Sequence, residues 1–200
     1  MTTTAPEKTI SNPARKAMID SQLRTSGVNT DFVLRRMGAV EREDFVPASA
    51  RGTAYMDRAI KLANGGWLAA PLVQGRMLSE ADPRGSENAI VVDGGSGYLA
   101  ELLRPLVKEL RLISTEEALK PSRSKDKADL LLIDGAVEQV PASLIKRMAE
   151  NARVVTGVVS NGVTRIAVGR VIDGKLALIP VFDTGIPVLQ EFTTPKGWSF

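Results

Sequence analysis

One stretch of the chain, residues 89–103, runs from a short apolar segment through a glycine-rich turn into an amphipathic helix. The apolar segment, AIVV, is β-branched and is typical of a buried strand. A turn built from DGGSG lets the backbone pass close to a ligand, and the helix after it aims its N-terminus at that ligand. The stretch therefore predicts an α/β fold with a nucleotide-type cofactor at the turn. A tight strand-to-helix turn without a ligand is the alternative.

The turn also fits the dinucleotide pattern G-x-G-x-x-A, from Gly95 to Ala100. Glu116 follows near the end of the next predicted strand, where a carboxylate would bind a ribose. Tyr98 is equally suited to packing and to cofactor contact. The candidate cofactor-binding residues lie in the turn and after the neighbouring strands: Asp93, Gly94, Gly95, Ser96, Gly97, Tyr98, Glu116, Asp134 and Gly135.

Two acidic residues narrow the choice of cofactor. Asp93 and Asp134 each follow a predicted strand, so both are expected at the carboxyl ends of the sheet, beside the ligand crevice. Carboxylates there would repel a pyrophosphate but would attract the ammonium and sulfonium of S-adenosylmethionine. The acids therefore favour S-adenosylmethionine over NAD, unless each merely caps a turn.

Short apolar strands alternate with helices in the second half of the chain, which predicts a mainly parallel sheet. Asp173-Gly174 then predicts a closing antiparallel hairpin. The first eighty residues have mostly helical spacing. We expect a disordered tail over residues 1–11, a helical N-terminal subdomain over 12–88 and a Rossmann-like domain over 89–200. The predicted parallel strands are 89–93, 110–114, 128–134 and 152–159, and the later helices are 97–108 and 141–150.

Composition excludes several function classes. The chain has neither Cys nor His, so disulfides, thiolate metal sites and a serine–histidine triad are excluded, and no metal site is expected. The net charge of +3 is spread along the chain, and aromatic residues make up only 4%. Neither feature is typical of nucleic-acid binding. No apolar run is long enough to span a membrane and no signal-peptide pattern is present, so a cytoplasmic protein is expected.

The order of motifs along nearly the whole chain resembles the protein-L-isoaspartate O-methyltransferase family. The motifs that carry the resemblance are MIDSQLR from Met18, REDFVP from Arg42, AYMDRA from Ala54, GSGY from Gly95 and DLLLIDGA from Asp129. The resemblance implies a seven-strand methyltransferase sheet and S-adenosylmethionine-dependent methylation of isoaspartyl carboxylates in damaged proteins. Such a carboxylate is already ionised, so positioning supplies most of the rate and a chain without His is compatible with the reaction.

Three positions depart from the family's pattern. Ala69 stands where the family has a serine next to the reacting groups, so the catalytic residue is unknown here. Val91 replaces an acidic residue late in the first strand. Asp93 replaces the first glycine of the loop, although it shares a strand face with Val91 and could substitute for the missing acid.

A deletion is the fourth departure. Only eleven residues, 117–127, connect the second predicted strand to the next, where the family has a helix, a strand and a further helix. Eleven extended residues reach roughly 36 Å, which is enough for a bare connection only. We therefore predict that one edge strand of the parallel sheet is missing, together with the loop that frames the adenine.

Two functions remain open. The first is a divergent methyltransferase whose activity is weakened or lost and whose partners, if it is active, are isoaspartyl proteins or peptides. The second is a non-catalytic binding or interaction protein that uses the freed sheet edge. An NAD-type dehydrogenase fits the whole-chain motif order poorly. Asp57 is a candidate substrate-binding residue, with an exposed Asp57–Arg58 ion pair as the alternative.

Overall fold

The computed structural model describes residues 12–122 and 126–194, so the predicted tail over residues 1–11 lies outside the described part of the chain. The helices are α1 (Pro13–Ala17), continued by a π-helix (Met18–Leu23), then α2 (Asp31–Ala39), α3 (Pro71–Ala81), α4 (Tyr98–Leu103), α5 (Thr115–Leu119) and α6 (Ala142–Ile145). The strands are β1 (Ile60–Lys61), β2 (Trp67–Leu68), β3 (Asn88–Val92), β4 (Glu109–Ile113), β5 (Ala128–Val137), β6 (Met148–Ser160), β7 (Val163–Ile172) and β8 (Lys175–Asp183). Short 3₁₀ turns cover Arg42–Phe45, Ala48–Thr53, Arg104–Leu106 and Gln190–Phe192.

The main sheet has six strands among the described residues, in the order β4-β3-β5-β6-β7-β8. Strands β4, β3, β5 and β6 are parallel, and β7 and β8 continue the sheet as an antiparallel hairpin. Strand β4 is the edge of the parallel part. The predicted fold class, the closing hairpin and the missing edge strand are therefore confirmed.

Alternate strand residues point to opposite faces, and each face is buried. Val91 and Leu132 lie in one core cluster with residues of the N-terminal helices, α3 and α4. Val92 and Ile133 lie in a second cluster with residues of α5, α6 and the chain after β8. The N-terminal helices thus share a core with the sheet, and the predicted division at residue 88 stays a prediction.

The short connection after β4 is held by side chains from the α6 region. The buried guanidinium of Arg147 donates through Nη2 to the carbonyls of Glu117 (2.6 Å) and Lys120 (2.8 Å). The hydroxyl of Ser143 donates to the carbonyl of Ala118 (2.5 Å). These bonds satisfy the last carbonyls of α5, which a helix of five residues cannot satisfy by itself.

Two predicted helices are shorter than their patterns indicated. The predicted helix over 141–150 is wrong after Ile145, because the chain enters β6 at Met148 to pair with β5. The predicted helix over 97–108 leaves α geometry after Leu103, since Pro105 lacks the N–H that a continuing helix needs. Strand pairing in the first case and a proline in the second thus outweighed the helical spacing of apolar residues. None of the helices in the described part is long and apolar enough to cross a membrane.

Candidate functional site

The glycine loop (residues 93–97) follows β3 and is closed by its own first residue. Oδ1 of Asp93 accepts hydrogen bonds from the backbone N–H groups of Gly95 (3.0 Å) and Gly97 (2.8 Å). Gly95 and Gly97 have φ values of +117° and +70°, a region that side chains disfavour, so glycine is required at both positions. An internal carboxylate therefore occupies the donors that an anionic ligand would use.

The β1–β2 hairpin packs directly on this loop. The N–H of Trp67 donates to the carbonyl of Gly94 (2.8 Å), and the side chain of Asn64 donates to the carbonyl of Gly95 (2.8 Å). A Cβ added to Gly66 would lie 2.6 Å from the carbonyl oxygen of Gly94. Close approach of two glycine-containing backbones thus fixes the hairpin that leads to Ala69.

Gly94 also packs against the end of β5. A Cβ added at Gly94 would overlap the carbonyl oxygen of Asp134, so the loop and the end of β5 can approach only with glycine there. The contact places Asp93, directly after β3, beside Asp134 of β5, which lies one residue beyond the last residue of β5 that pairs with β3.

Asp134 is a buried carboxyl group, with only 4% of its surface exposed. The side-chain amide of Gln74 donates to both of its oxygens, at 3.0 Å to Oδ2 and 3.3 Å to Oδ1. Burial, together with the negative charge of Asp93, raises the pKa of Asp134 to about 7, although Gln74 and Arg42 oppose the rise. Asp134 therefore changes charge near neutral pH.

Arg42 is a fully buried cation that joins the segments around the site. Its Nη1 donates to Oε1 of Gln74 (2.6 Å), its Nε donates to the carbonyl of Ala54 (2.7 Å), and its Nη2 donates to the carbonyl of Ala69. Burial lowers the pKa of Arg42, and the nearby Tyr98 and Asp134 oppose that shift. A continuous chain of hydrogen bonds, called the relay below, thus links Arg42 through Gln74 to Asp134.

The side chain of Tyr98 is part of the core. It is fully buried, its ring meets that of Phe45 edge-on at 5.1 Å, and the guanidinium carbon of Arg42 lies 5.0 Å from its centroid. Burial raises the pKa of Tyr98 to about 12, with Arg42 acting in the opposite direction. Of the two roles left open for Tyr98, the contacts of its side chain are those of packing.

The remaining predicted site residues are less closely grouped. Glu116 is exposed in the first turn of α5, just beyond the end of β4. Asp57 is exposed, and its Oδ1 accepts from the N–H of Leu72 (3.2 Å), so it caps the N-terminus of α3. Gly135 faces Leu189, whose Cγ lies 2.6 Å from the position of an added Cβ. Ser96 accepts from the N–H of Tyr98 (3.2 Å) and so closes the loop locally.

Sequence reasoning missed Gln74 and Arg42 as parts of the site. A charged residue in a motif such as REDFVP is usually expected to be exposed to solvent. A single glutamine inside a predicted helix gives no indication of a functional role. Both residues matter because they are buried where distant segments meet. Gln74 of α3, for example, contacts Asp134 of β5, sixty positions later in the sequence. Across the described ranges, no group of three acidic residues is arranged to hold a metal ion.

The chain is similar to known proteins both in sequence and in structure. The family model for protein-L-isoaspartate(D-aspartate) O-methyltransferase matches residues 13–127, more than half of the chain. Protein-L-isoaspartate O-methyltransferase 2 of Anaeromyxobacter sp. is 27% identical over 173 residues, which cover 74% of this chain and 71% of that protein. Protein-L-isoaspartate O-methyltransferase of Aeropyrum pernix is 45% identical over 95 residues, which cover 47% of this chain and 36% of that protein.

Among solved structures, the chain is similar to a protein-L-isoaspartate O-methyltransferase of Plasmodium falciparum in complex with S-adenosyl-L-homocysteine. The TM-score is 0.67 at 17% identity, and the match covers 88% of this chain and 98% of that one. At 17% sequence identity, this structural similarity shows that the two proteins share a fold and shows nothing further.

Proposed function

From the premise that this chain belongs to the protein-L-isoaspartate O-methyltransferase family, we propose that it binds S-adenosylmethionine at the carboxyl ends of β3, β4 and β5. In this proposal it methylates isoaspartyl carboxylates of damaged proteins only weakly. The cofactor would supply an activated methyl group, and the substrate carboxylate would supply the nucleophile.

The observation that carries the cofactor assignment is the internal capping of the glycine loop. Because Asp93 already accepts from Gly95 and Gly97, the loop presents a carboxylate, and two of its N–H donors are already used. Asp134 lies on the neighbouring strand, and its carboxyl group, whose pKa is raised to about 7, adds a second negative charge as the pH rises above neutrality. A pyrophosphate would meet repulsion, whereas the ammonium and sulfonium of S-adenosylmethionine would be attracted. The nucleotide pattern alone does not make this distinction.

The weakness of the proposed activity rests on two local features. Ala69 offers no hydroxyl, and its carbonyl is already bound by Arg42. The parallel sheet ends at β4, so Glu116 stands at an open edge with no further strand beside it among the described residues. Loss of one positioning contact and of one side of a binding site commonly costs orders of magnitude in rate.

Methyl transfer to an isoaspartyl peptide tests the proposal, with the Ala69→Ser variant assayed beside the wild type. We expect slow, S-adenosylmethionine-dependent transfer by the wild type and a rate increased about tenfold or more in the variant, because a hydroxyl then stands beside the reacting groups. A wild type as fast as efficient methyltransferases contradicts the weakened site. Transfer that is absent from both proteins contradicts the enzymatic function.

A non-catalytic binding protein is the second candidate, and the open edge of β4 favours it. Leu112 on this edge strand is 42% exposed, which is unusual for a leucine in a parallel sheet. A strand edge without a neighbour can pair with an extended segment of another protein. If S-adenosylmethionine does not bind at all, this function replaces the first.

A further inference from the structure

The chain after β8, which we call the C-terminal segment (residues 186–194), returns to the end of β5. The N–H of Ala136 donates to the carbonyl of Pro187 (2.8 Å), and the N–H of Leu189 donates to the carbonyl of Ala136 (2.9 Å). Val188 and Ala136 are partners in a parallel β-bridge. The backbone immediately after Asp134 is therefore already paired with the protein's own chain.

The same segment reaches the residues after β4. The hydroxyl of Thr115 donates to Oε1 of Glu191 (2.9 Å), next to Glu116. Strand β3 lies between β4 and β5 in the sheet. A segment that contacts Thr115 beyond β4 and Ala136 near the end of β5 crosses the sheet beside the carboxyl end of β3, where the glycine loop begins.

Apolar side chains of the segment fill the space beneath this crossing. Leu189 and Phe192 are 7% and 2% exposed, and they share a core cluster with Val92 of β3 and Ile113 of β4. Leu189 also covers the open side of Gly135. Ligands of open α/β sheets bind in the crevice at the carboxyl ends of the strands, which is the place that the segment crosses.

We propose that the C-terminal segment occupies the nucleoside side of the cofactor crevice, and that a bound adenosyl group has to displace it. This inference rests on the proposed cofactor. Binding then carries the cost of breaking the Ala136 and Glu191 contacts and of exposing Leu189 and Phe192. The segment would act as a built-in competitor, so that a partner or substrate that draws it away would increase cofactor affinity.

A reversible lock tests the displacement. Because the chain contains no cysteine, the double variant Ala136→Cys/Val188→Cys can form only one disulfide, between two bridge partners that face each other. Calorimetry with S-adenosylhomocysteine is carried out on the reduced and the oxidised protein. We expect the reduced form to bind like the wild type and the oxidised form to bind at least tenfold more weakly. Equal affinity of the two forms overturns the inference.

A second disulfide controls for general stiffening. Val168→Cys/Ile179→Cys joins partners of β7 and β8, far along the sheet from the crevice. Its oxidation should leave the affinity unchanged. An equal loss of affinity in this control would show that the position of the lock is irrelevant, and would overturn the inference.

If the wild type does not bind S-adenosylhomocysteine at millimolar concentration, the inference is tested on variants in which the C-terminal segment is held less tightly. Leu189→Ala/Glu191→Ala removes a core contact and the Thr115 hydrogen bond, and Glu191→Ala alone keeps the core intact if the double variant does not fold. Binding gained by either variant supports the inference although the proposed function of the wild type fails. Folded variants that stay silent overturn both. Binding by the locked and the free protein alike leaves the proposed function standing and removes only the inference.

Discussion

Replacing Asp134 with asparagine should stabilise the protein, and the gain should grow with pH. Asparagine keeps the shape of the side chain and one hydrogen bond from Gln74, but it cannot ionise. Burial raises the pKa of Asp134 to about 7 from the usual 3.8. The native wild type thus holds its proton above pH 4 while the unfolded chain loses it, so stability is full below about pH 4 and falls as the pH rises to about 7.

The size of this effect follows from the two pKa values. A difference of about three units corresponds to about 4 kcal/mol once both states have ionised. At pH 5 the linkage amounts to about 2 kcal/mol, and at pH 8 to about 4 kcal/mol. The Asp134→Asn variant should therefore gain about 2–3 kcal/mol over the wild type between these two pH values.

Urea unfolding of both proteins at pH 5 and pH 8 measures the gain directly. The matched control is Asp173→Asn, which removes an exposed carboxylate from a turn where Asn is also tolerated. Its effect on the free energy of unfolding should not grow across the same interval. A difference between Asp134→Asn and wild type that is equal at the two pH values would refute the assignment of Asp134 as a buried ionisable group.

Three further variants probe the scaffold of the site. Arg42→Met leaves Oε1 of Gln74 and two carbonyls without their donor, so urea unfolding should show a loss of about 3–5 kcal/mol, and a loss below about 1 kcal/mol would contradict the relay. Gly94→Ala forces the loop away from Asp134 and should lower the thermal midpoint by several degrees, whereas Gly85→Ala, whose Cβ meets open space, should leave it nearly unchanged; equal midpoints would contradict the close approach. Arg147→Met frees the carbonyls of Glu117 and Lys120, so hydrogen exchange of the α5 amides should accelerate at least tenfold, and unchanged exchange would contradict the stabilisation of α5 by Arg147.

The strand pattern and the glycine loop could be predicted because their signals are local. Short apolar runs predicted β3 and β5, and Asp173-Gly174 predicted the turn between β7 and β8. The length of the connection after β4, compared with the helix, strand and helix of the family that the chain resembles, predicted the missing edge strand. These features depend on residues that are close together in sequence.

Features that depend on distant contacts could not be predicted in the same way. The helix expected up to residue 150 yields to β6, because pairing with β5 outweighs local helix spacing. The relay of Arg42, Gln74 and Asp134 joins three segments that no short pattern connects. The crossing of the C-terminal segment beside the carboxyl end of β3 likewise becomes visible only when the strand order is known.

The charge at the carboxyl ends of β3 and β5 is the central claim, and calorimetry with S-adenosylmethionine and with NAD under identical conditions tests it most directly. Because Asp93 caps the glycine loop and Asp134 lies behind it, S-adenosylmethionine should bind with measurable heat below millimolar concentration, and NAD should not. Tighter binding of NAD, or silence of S-adenosylmethionine at millimolar concentration, would contradict the account.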